Sequence, residues 1–224
     1  MQVGYAMSWF PNSPKFRRAM LVLIDPDSSK SEGVILLQYN PDSLSRTMQI
    51  QGAGEGGERS EALRLKGPAV ETIKLEAEID ATDQLESPDR HDNTVRYGIQ
   101  PQLAELEGLI NPTAAQLMAS NDLASIGIIE IAPAEAPLTF FVWGEQRILP
   151  VRVTEFSITE EAFDPNLNPL RAKVSLSMRV LSVNDVGFSH KAGTHFLVHL
   201  KNNERLAGKA SLRAQALPYH SRSQ

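Results

Sequence analysis

The sequence predicts a mainly β, α+β domain built on antiparallel strands. Three observations carry that prediction. Seven short runs read as strands, one central helix stands among them instead of alternating with them, and the clearest strands alternate apolar and polar residues with a period of two. A doubly wound sheet would instead interleave helices and strands; an antiparallel or barrel-like domain with one buried face per strand fits better.

The elements follow in chain order. Phe16 to Ile24 is a branched apolar run bounded by Pro14 and by Asp25-Pro26-Asp27-Ser28, too short for a comfortable helix, and reads as a strand. The turn-rich stretch Ser28 to Gly33 leads to a second run, Val34 to Tyr39, so the two form an antiparallel hairpin. From Ser43 to Ile50, Leu44, Arg46, Met48 and Ile50 share one parity, a half-buried strand pattern interrupted by an arginine. Residues 51–68 hold five glycines and read as a long loop; loops of that length are uncommon unless they have a task, such as reaching a neighbour. In Glu71 to Asp80, Ile73, Leu75, Ala77 and Ile79 face a core while Thr72, Lys74, Glu76 and Glu78 face water or a partner.

Asp83 to Asn93 reads as polar loop. Behind Pro101, Leu103, Leu106, Leu109 and Ile110 recur at helical spacing until Asn111-Pro112, and a second short helical piece is expected over 113–118. Leu138 to Trp143, Gln146 to Glu160 and Arg171 to Leu181 supply three more strands. Leu149, Val151 and Val153 fall on a different parity from Phe156 and Ile158, which predicts a bulge near Thr154-Glu155. The proline- and asparagine-rich turn between the last two strands is expected to be pinned to the sheet by Phe163 and Leu167. From Gly193 the register becomes helical, with Phe196, Leu197, Leu200, Leu206 and Ala207 as the stripe.

Composition narrows the function. The chain has 224 residues, 22 Lys plus Arg against 27 Asp plus Glu, a net charge of −5, and no cysteine. Disulfides, thiolate catalysis and Cys-ligated metals are therefore out of reach, and a reducing compartment fits. No run approaches the ~20 apolar residues of a membrane span, and the first residues lack the apolar region of a secretory signal, so a cytoplasmic protein with no direct membrane contact is expected. A mildly acidic balance argues against nucleic acid as a partner. Charge is uneven: residues 51–95 hold eleven acids and five bases, residues 184–224 two acids and six bases, so opposite patches could meet between copies or simply be solvated faces.

Chemical motifs are weak. Gly52, Gly54, Gly56 and Gly57 lack the GK[ST] ending of a phosphate loop and carry Glu55 and Glu58 where a phosphate would be repelled. His195 and His199 stand four apart with His190 nearby, but without the HExxH glutamate they read as surface or interface histidines. No GxSxG elbow exists. The acids Glu160-Glu161 and Glu76/Glu78/Asp80 could in principle serve glycoside hydrolysis, but 6% aromatics leave few platforms for sugar rings. No catalytic residue, metal site or cofactor is predicted.

The string ILPVRVTEFSITEEAFDPNLNPLRAKVSLSMRVLSVND resembles the tube-protein family of contractile injection systems, phage-tail-like particles, in its hub-to-tube adaptor member. Gln38-Tyr39-Asn40-Pro41, the Gly-rich loop leading to Gly67-Pro68, ETIKLEAEID and PQLAELEGLINP extend the resemblance over residues 16–187. The resemblance implies a tail-tube-like barrel of two packed antiparallel sheets with a flanking helix over residues 1–187, and a short basic helical extension over 188–224. It implies a homohexameric ring around a channel, joining the spike-bearing hub of the baseplate to the inner tube and initiating tube polymerisation, with the tube protein, the hub and other baseplate proteins as partners. Many adaptor members continue into a LysM module that this sequence lacks. Glu55, Glu58, Glu76, Glu78, Phe163, Leu167 and Arg171 are the candidate assembly residues. An inner tube subunit is the alternative within the family; a free binding module or metal-dependent hydrolase is the alternative outside it.

Overall fold

The computed structural model describes residues 18–25, 30–52, 64–125 and 136–215, with side chains described as far as residue 210. Its strands are β1 (Met20–Ile24), β2 (Ser31–Leu36), β3 (Leu44–Gln49), β4 (Val70–Asp80), β5 (Leu138–Val142), β6 (Ile148–Phe163) and β7 (Pro169–Val180). The helices are α1 (Thr82–Leu85), α2 (Asp92–Tyr97), α3 (Gln100–Glu107), α4 (Ala114–Ser125), α5 (Val183–Val186) and α6 (Lys191–Gln215), with a 3-10 turn over Pro88–Arg90.

The seven strands join in one sheet in the order β2-β1-β5-β6-β7-β4-β3, and its pairings are antiparallel. The two packed layers are the two ends of this one sheet. Four strands separate β2 from β4, which would place them about 24 Å apart in a flat sheet at ~4.8 Å per strand. Yet Gln38, just beyond β2, donates from Nε2 to the Asp80 carbonyl at 2.7 Å and accepts the Asp80 amide at 3.0 Å. Only a sheet folded over on itself allows that contact. The fold encloses one main core, in which Leu21, Ile35 and Leu37 meet Ile73, Leu75, Leu176 and Met178.

Period-two patterns place this core. Ile73, Leu75, Ala77 and Ile79 of β4 are buried, and so are Ala172, Val174, Leu176, Met178 and Val180 of β7. The predicted bulge is present as a register shift between Val153 and Glu155. It moves β6 by one residue so that Arg152 and Glu155 both point away from the core.

Several expectations need correction. β2 spans Ser31–Leu36 instead of 34–39, because pairing with β1 pulls the strand toward the turn while Gln38 is committed to Asp80. The polar segment 83–93 is wound into α1, the 3-10 turn and part of α2, fixed by local backbone bonds and by the Thr94 hydroxyl donating to Gln84. In β3 only Leu44 and Arg46 are half-buried; Met48 and Ile50 are 52% and 74% exposed because nothing covers this end of the edge strand among the described residues. The second helical piece extends to Ser125. The inward stripe of α6 is Ala192, Phe196 and His199, whereas Leu200 and Leu206 are exposed.

Phe163 and Leu167 do not pin the β6–β7 turn; both are exposed. The turn is held by polar bonds, with Asp164 Oδ1 accepting the amides of Asn166 and Asn168 and Oδ2 accepting Asn168 Nδ2 at 2.8 Å. These bonds, led by that from the Asn168 side chain, hold the Asp164 carboxyl below its ordinary range. Gly98 locks the hairpin to the helical connection: at φ 58° and ψ −133° it lets Ile99 N donate to the Pro169 carbonyl at 2.9 Å.

Candidate assembly surfaces

One coherent surface is the outer face of β6, β7, β4 and β3. Strand alternation and pairing stack the outward residues in rows: Arg152, Arg179, Thr72 and Thr47; then Glu155, Ser177, Lys74 and Ser45; then Ser157, Ser175 and Glu76; then Thr159, Lys173 and Glu78; then Glu161, Arg171 and Asp80. No row contains an apolar side chain, and the five acids are balanced by five bases.

Cross-strand ion pairs order the charges. Arg171 Nε lies 2.8 Å from Asp80 Oδ2 and 3.8 Å from Glu78 Oε1; Lys173 Nζ lies 3.0 Å from Glu161, and Lys74 Nζ lies 3.3 Å from Glu155. The Thr82 hydroxyl first, and then Arg171, hold the Asp80 carboxyl low, while the Ser177 hydroxyl and Lys74 do so for Glu155. Exposed pairs of this kind are screened by solvent, so they set the charge pattern of the face more than its stability.

Of the sequence-predicted residues, Glu76, Glu78 and Arg171 come together on this face, and Arg171 bridges Glu78 to Asp80. Phe163 and Leu167 stand apart at the exposed β6–β7 tip. Glu55 and Glu58 lie outside the described residues. The loop that carries them is closed at its base by a bridge between Gly52 and Leu65 and by Lys66 N donating to the Gln51 carbonyl. Met48, Ile50 and Leu65 leave an exposed apolar patch where this base meets the β3 edge.

A polar cluster beneath α6 was missed by sequence reasoning. Arg46 of β3 pairs through Nε with Glu71 of β4 at 2.5 Å, and Glu71 is buried. His199 of α6 is buried too, with Nε2 3.0 Å from Asn203 Nδ2. Burial holds His199 below its ordinary pKa, Arg46 and Arg147 push it further down, and Glu71 opposes them. Its signal in the sequence was a pair of opposite charges, Arg46 and Glu71, on the apolar parities of two adjacent strands.

The enzyme-like groupings come apart. His195 packs edge-on against Phe140 with ring centroids 4.7 Å apart, and His190 Nδ1 accepts the Ala192 amide. Adjacent strand residues Glu160 and Glu161 point to opposite faces, and Glu161 is committed to Lys173. Among the described residues, no group of three His, Asp or Glu side chains is placed to hold a metal ion, and no helix is long and apolar enough to cross a membrane.

The family model described as contractile injection system tube protein matches residues 18–185. The chain belongs to that family. It is a structural, tail-tube-like component of a phage-tail-like particle. The family match spans the whole seven-stranded sheet, and α6 lies beyond it. Comparison with curated proteins gave no match. Solved structures with similar chains include the tail of an empty gene transfer agent particle refined with C6 symmetry, 12% identical over 72% of this chain and 90% of that chain, TM-score 0.27. Another is the virion of a native gene transfer agent particle, 11% identical over 72% and 90%, TM-score 0.24. Likeness at that level adds nothing to the family assignment.

Proposed function

We propose that this tube-family chain closes into a homohexameric ring whose polar sheet face lines a water-filled channel, and that the ring joins the spike-bearing hub to the inner tube and starts tube polymerisation. The observation that carries the reading is the outer face of β6, β7, β4 and β3, with no apolar side chain in five successive rows and with balanced charge. Such a face stays wet, neither collapses on its counterparts nor grips a passing cargo by apolar contact, and repels neither sign of charge strongly. The sheet edges β2 and β3, which have no further strand beside them among the described residues, suit continuation into neighbouring copies.

Placement at the hub end is supported by α6. This 25-residue helix lies beyond the family match and packs Phe196 into the main core, so it adds a surface foreign to the shared domain. A ring with one end built from the shared domain and another bearing α6 can meet two unlike partners. The family description itself favours a second reading, an ordinary inner tube subunit.

Electron microscopy of the purified chain, alone and mixed with the tube and hub proteins of the same particle, tests both. Six-fold rings that bind the hub and shorten the lag of tube growth are expected. A chain that stays monomeric under assembly conditions overturns the ring, and incorporation along the whole tube selects the second reading.

A further inference from the structure

We propose that helix α6 is an acid-released latch: three histidines cap it and seat it on the domain only while they lack an added proton, and acidification frees the helix while the sheet stays folded. The inference goes beyond the ring reading and holds for an adaptor and for an inner tube subunit alike.

The helix is anchored over a short stretch. The buried Ala192, Phe196 and His199, with the half-buried His195 between them, fall at the i, i+4, i+7 and i+3 positions of one face. Ala192 joins the apolar cluster around Leu138 and Phe140, and Phe196 enters the main core. Beyond this stripe the side chains from Leu200 to Ala210 are exposed, apart from the half-buried Asn202. Two of the four seating residues are therefore histidines, the side chain whose charge changes between about pH 5 and 8.

Each histidine works without the added proton. His190 caps the helix: its carbonyl accepts the Thr194 amide at 3.0 Å and its Nδ1 accepts the Ala192 amide at 3.1 Å. A protonated Nδ1 cannot accept, and it would set a cation against the positive end of the helix dipole. His195 lies edge-on to Phe140, and burial followed by Lys191 disfavours its charged form. His199 has Nε2 3.0 Å from Asn203 Nδ2, while its buried Nδ1 has no hydrogen-bond partner among the described residues. An imidazolium carries two N–H donors, so protonation strands a buried donor that water satisfies once the helix lifts away.

The surrounding charges do not offset that cost. His199 faces Arg46 of β3, Glu71 of β4 and Arg147 of the β5–β6 turn, and Glu71 is already paired with Arg46. The same turn carries the exposed Glu145 and Gln146, which accepts from Arg205 of α6. Strand register puts Arg152 and Arg179 on the face that carries Phe140, and Asp185 of α5 is committed to Arg179 and to the Ser182 cap. On α6 itself Lys201, Glu204 and Lys209 are exposed. A charged His199 therefore adds a third cation to two arginines and one engaged carboxylate.

The docked helix favours the neutral forms of His195 and His199, so docking is complete above their ordinary 6.5 and weakens as pH falls below it. Between pH 7.5 and pH 5.5 each contributes up to about tenfold to the opening equilibrium. The seven-stranded sheet is complete without α6, which lies beyond the family match over residues 18–185, so the helix can open as a unit of its own.

Hydrogen exchange of the full-length chain, followed by mass spectrometry at pH 7.5 and pH 5.5 and corrected for the intrinsic pH dependence of exchange, tests the latch at a concentration low enough that association adds nothing. Amides of residues 194–205 should lose about tenfold to a hundredfold of their protection in acid, while those of β4 and β7 keep theirs. In a chain carrying His190→Asn, His195→Leu and His199→Leu, which retains a cap acceptor and the buried volume, the loss should largely vanish; His199→Leu alone should remove about tenfold of it. Unchanged protection of α6 at pH 5.5 overturns the proposal. A loss that β4 and β7 share overturns it as well, because that is global unfolding. An equal loss in both variants also overturns it, by placing the titrating group elsewhere.

Discussion

Replacing Gly98 with alanine should unfold the hairpin junction at a large and calculable cost. Gly98 sits at φ 58° and ψ −133°, where a side chain costs ~1–3 kcal/mol in backbone strain alone. A Cβ there would also lie 2.1 Å from the Pro169 carbonyl oxygen, a backbone atom that cannot swing aside. Relieving the clash breaks the 2.9 Å bond from Ile99 N to that carbonyl, and Ile99 is 1% exposed, so its stranded amide costs a further ~1–3 kcal/mol. The sum is about 2–6 kcal/mol; 3 kcal/mol would lower the Tm of a chain this size by about 6–12 °C. Urea unfolding followed by circular dichroism, at a concentration low enough that association adds nothing, reads the loss directly. Gly144→Ala is the control, because Gly144 also has a positive φ of 73° but its Cβ would meet nothing within 4 Å. That variant should lose only about 1–2 kcal/mol. Equal losses in the two variants would refute the reasoning, since the clash with Pro169 would then contribute nothing.

Two further outcomes are expected. His199 has a folded pKa held below its ordinary 6.5 by burial and by Arg46 and Arg147, so the unfolded chain takes up its proton first; its stability contribution is complete above pH 6.5 and falls as pH drops below that value. His199→Leu should flatten that acid-side loss in urea midpoints measured between pH 7.5 and pH 5, though His195, shifted the same way by burial and Lys191, retains its share; an unchanged slope counts against the buried neutral histidine. Reversing Glu55 and Glu58 to Lys should leave monomer melting nearly intact and weaken ring or ring-on-ring association in sedimentation; a large loss of monomer stability with unchanged assembly would sink the assignment of those charges to contacts between copies.

The strands were legible because their signal is local. Period-two alternation in β4 named both its buried residues and the outward Glu76 and Glu78. The change of parity after Val153 announced the bulge for the same reason. Helix α4 was visible only in part, since its residues lack an amphipathic stripe and the Thr113–Gln116 cap sets where it starts but not where it stops. The stripe of α6 was misread because His199, a polar residue, takes an inward position while Leu200 stays outside. Which helix face turns inward depends on the surface it meets, here Phe140 and the Arg46–Glu71 pair.

By itself the sequence determined a cysteine-free, mainly antiparallel α+β chain with one-sided strands, since alternation, turn chemistry and composition act over a few residues. Only the tertiary structure decided that the strands form one folded-over sheet, because Gln38 reaching Asp80 is a contact between positions 42 residues apart. Only it assembled the isolated charges into a balanced polar face, because strand order and register set which side chains become neighbours.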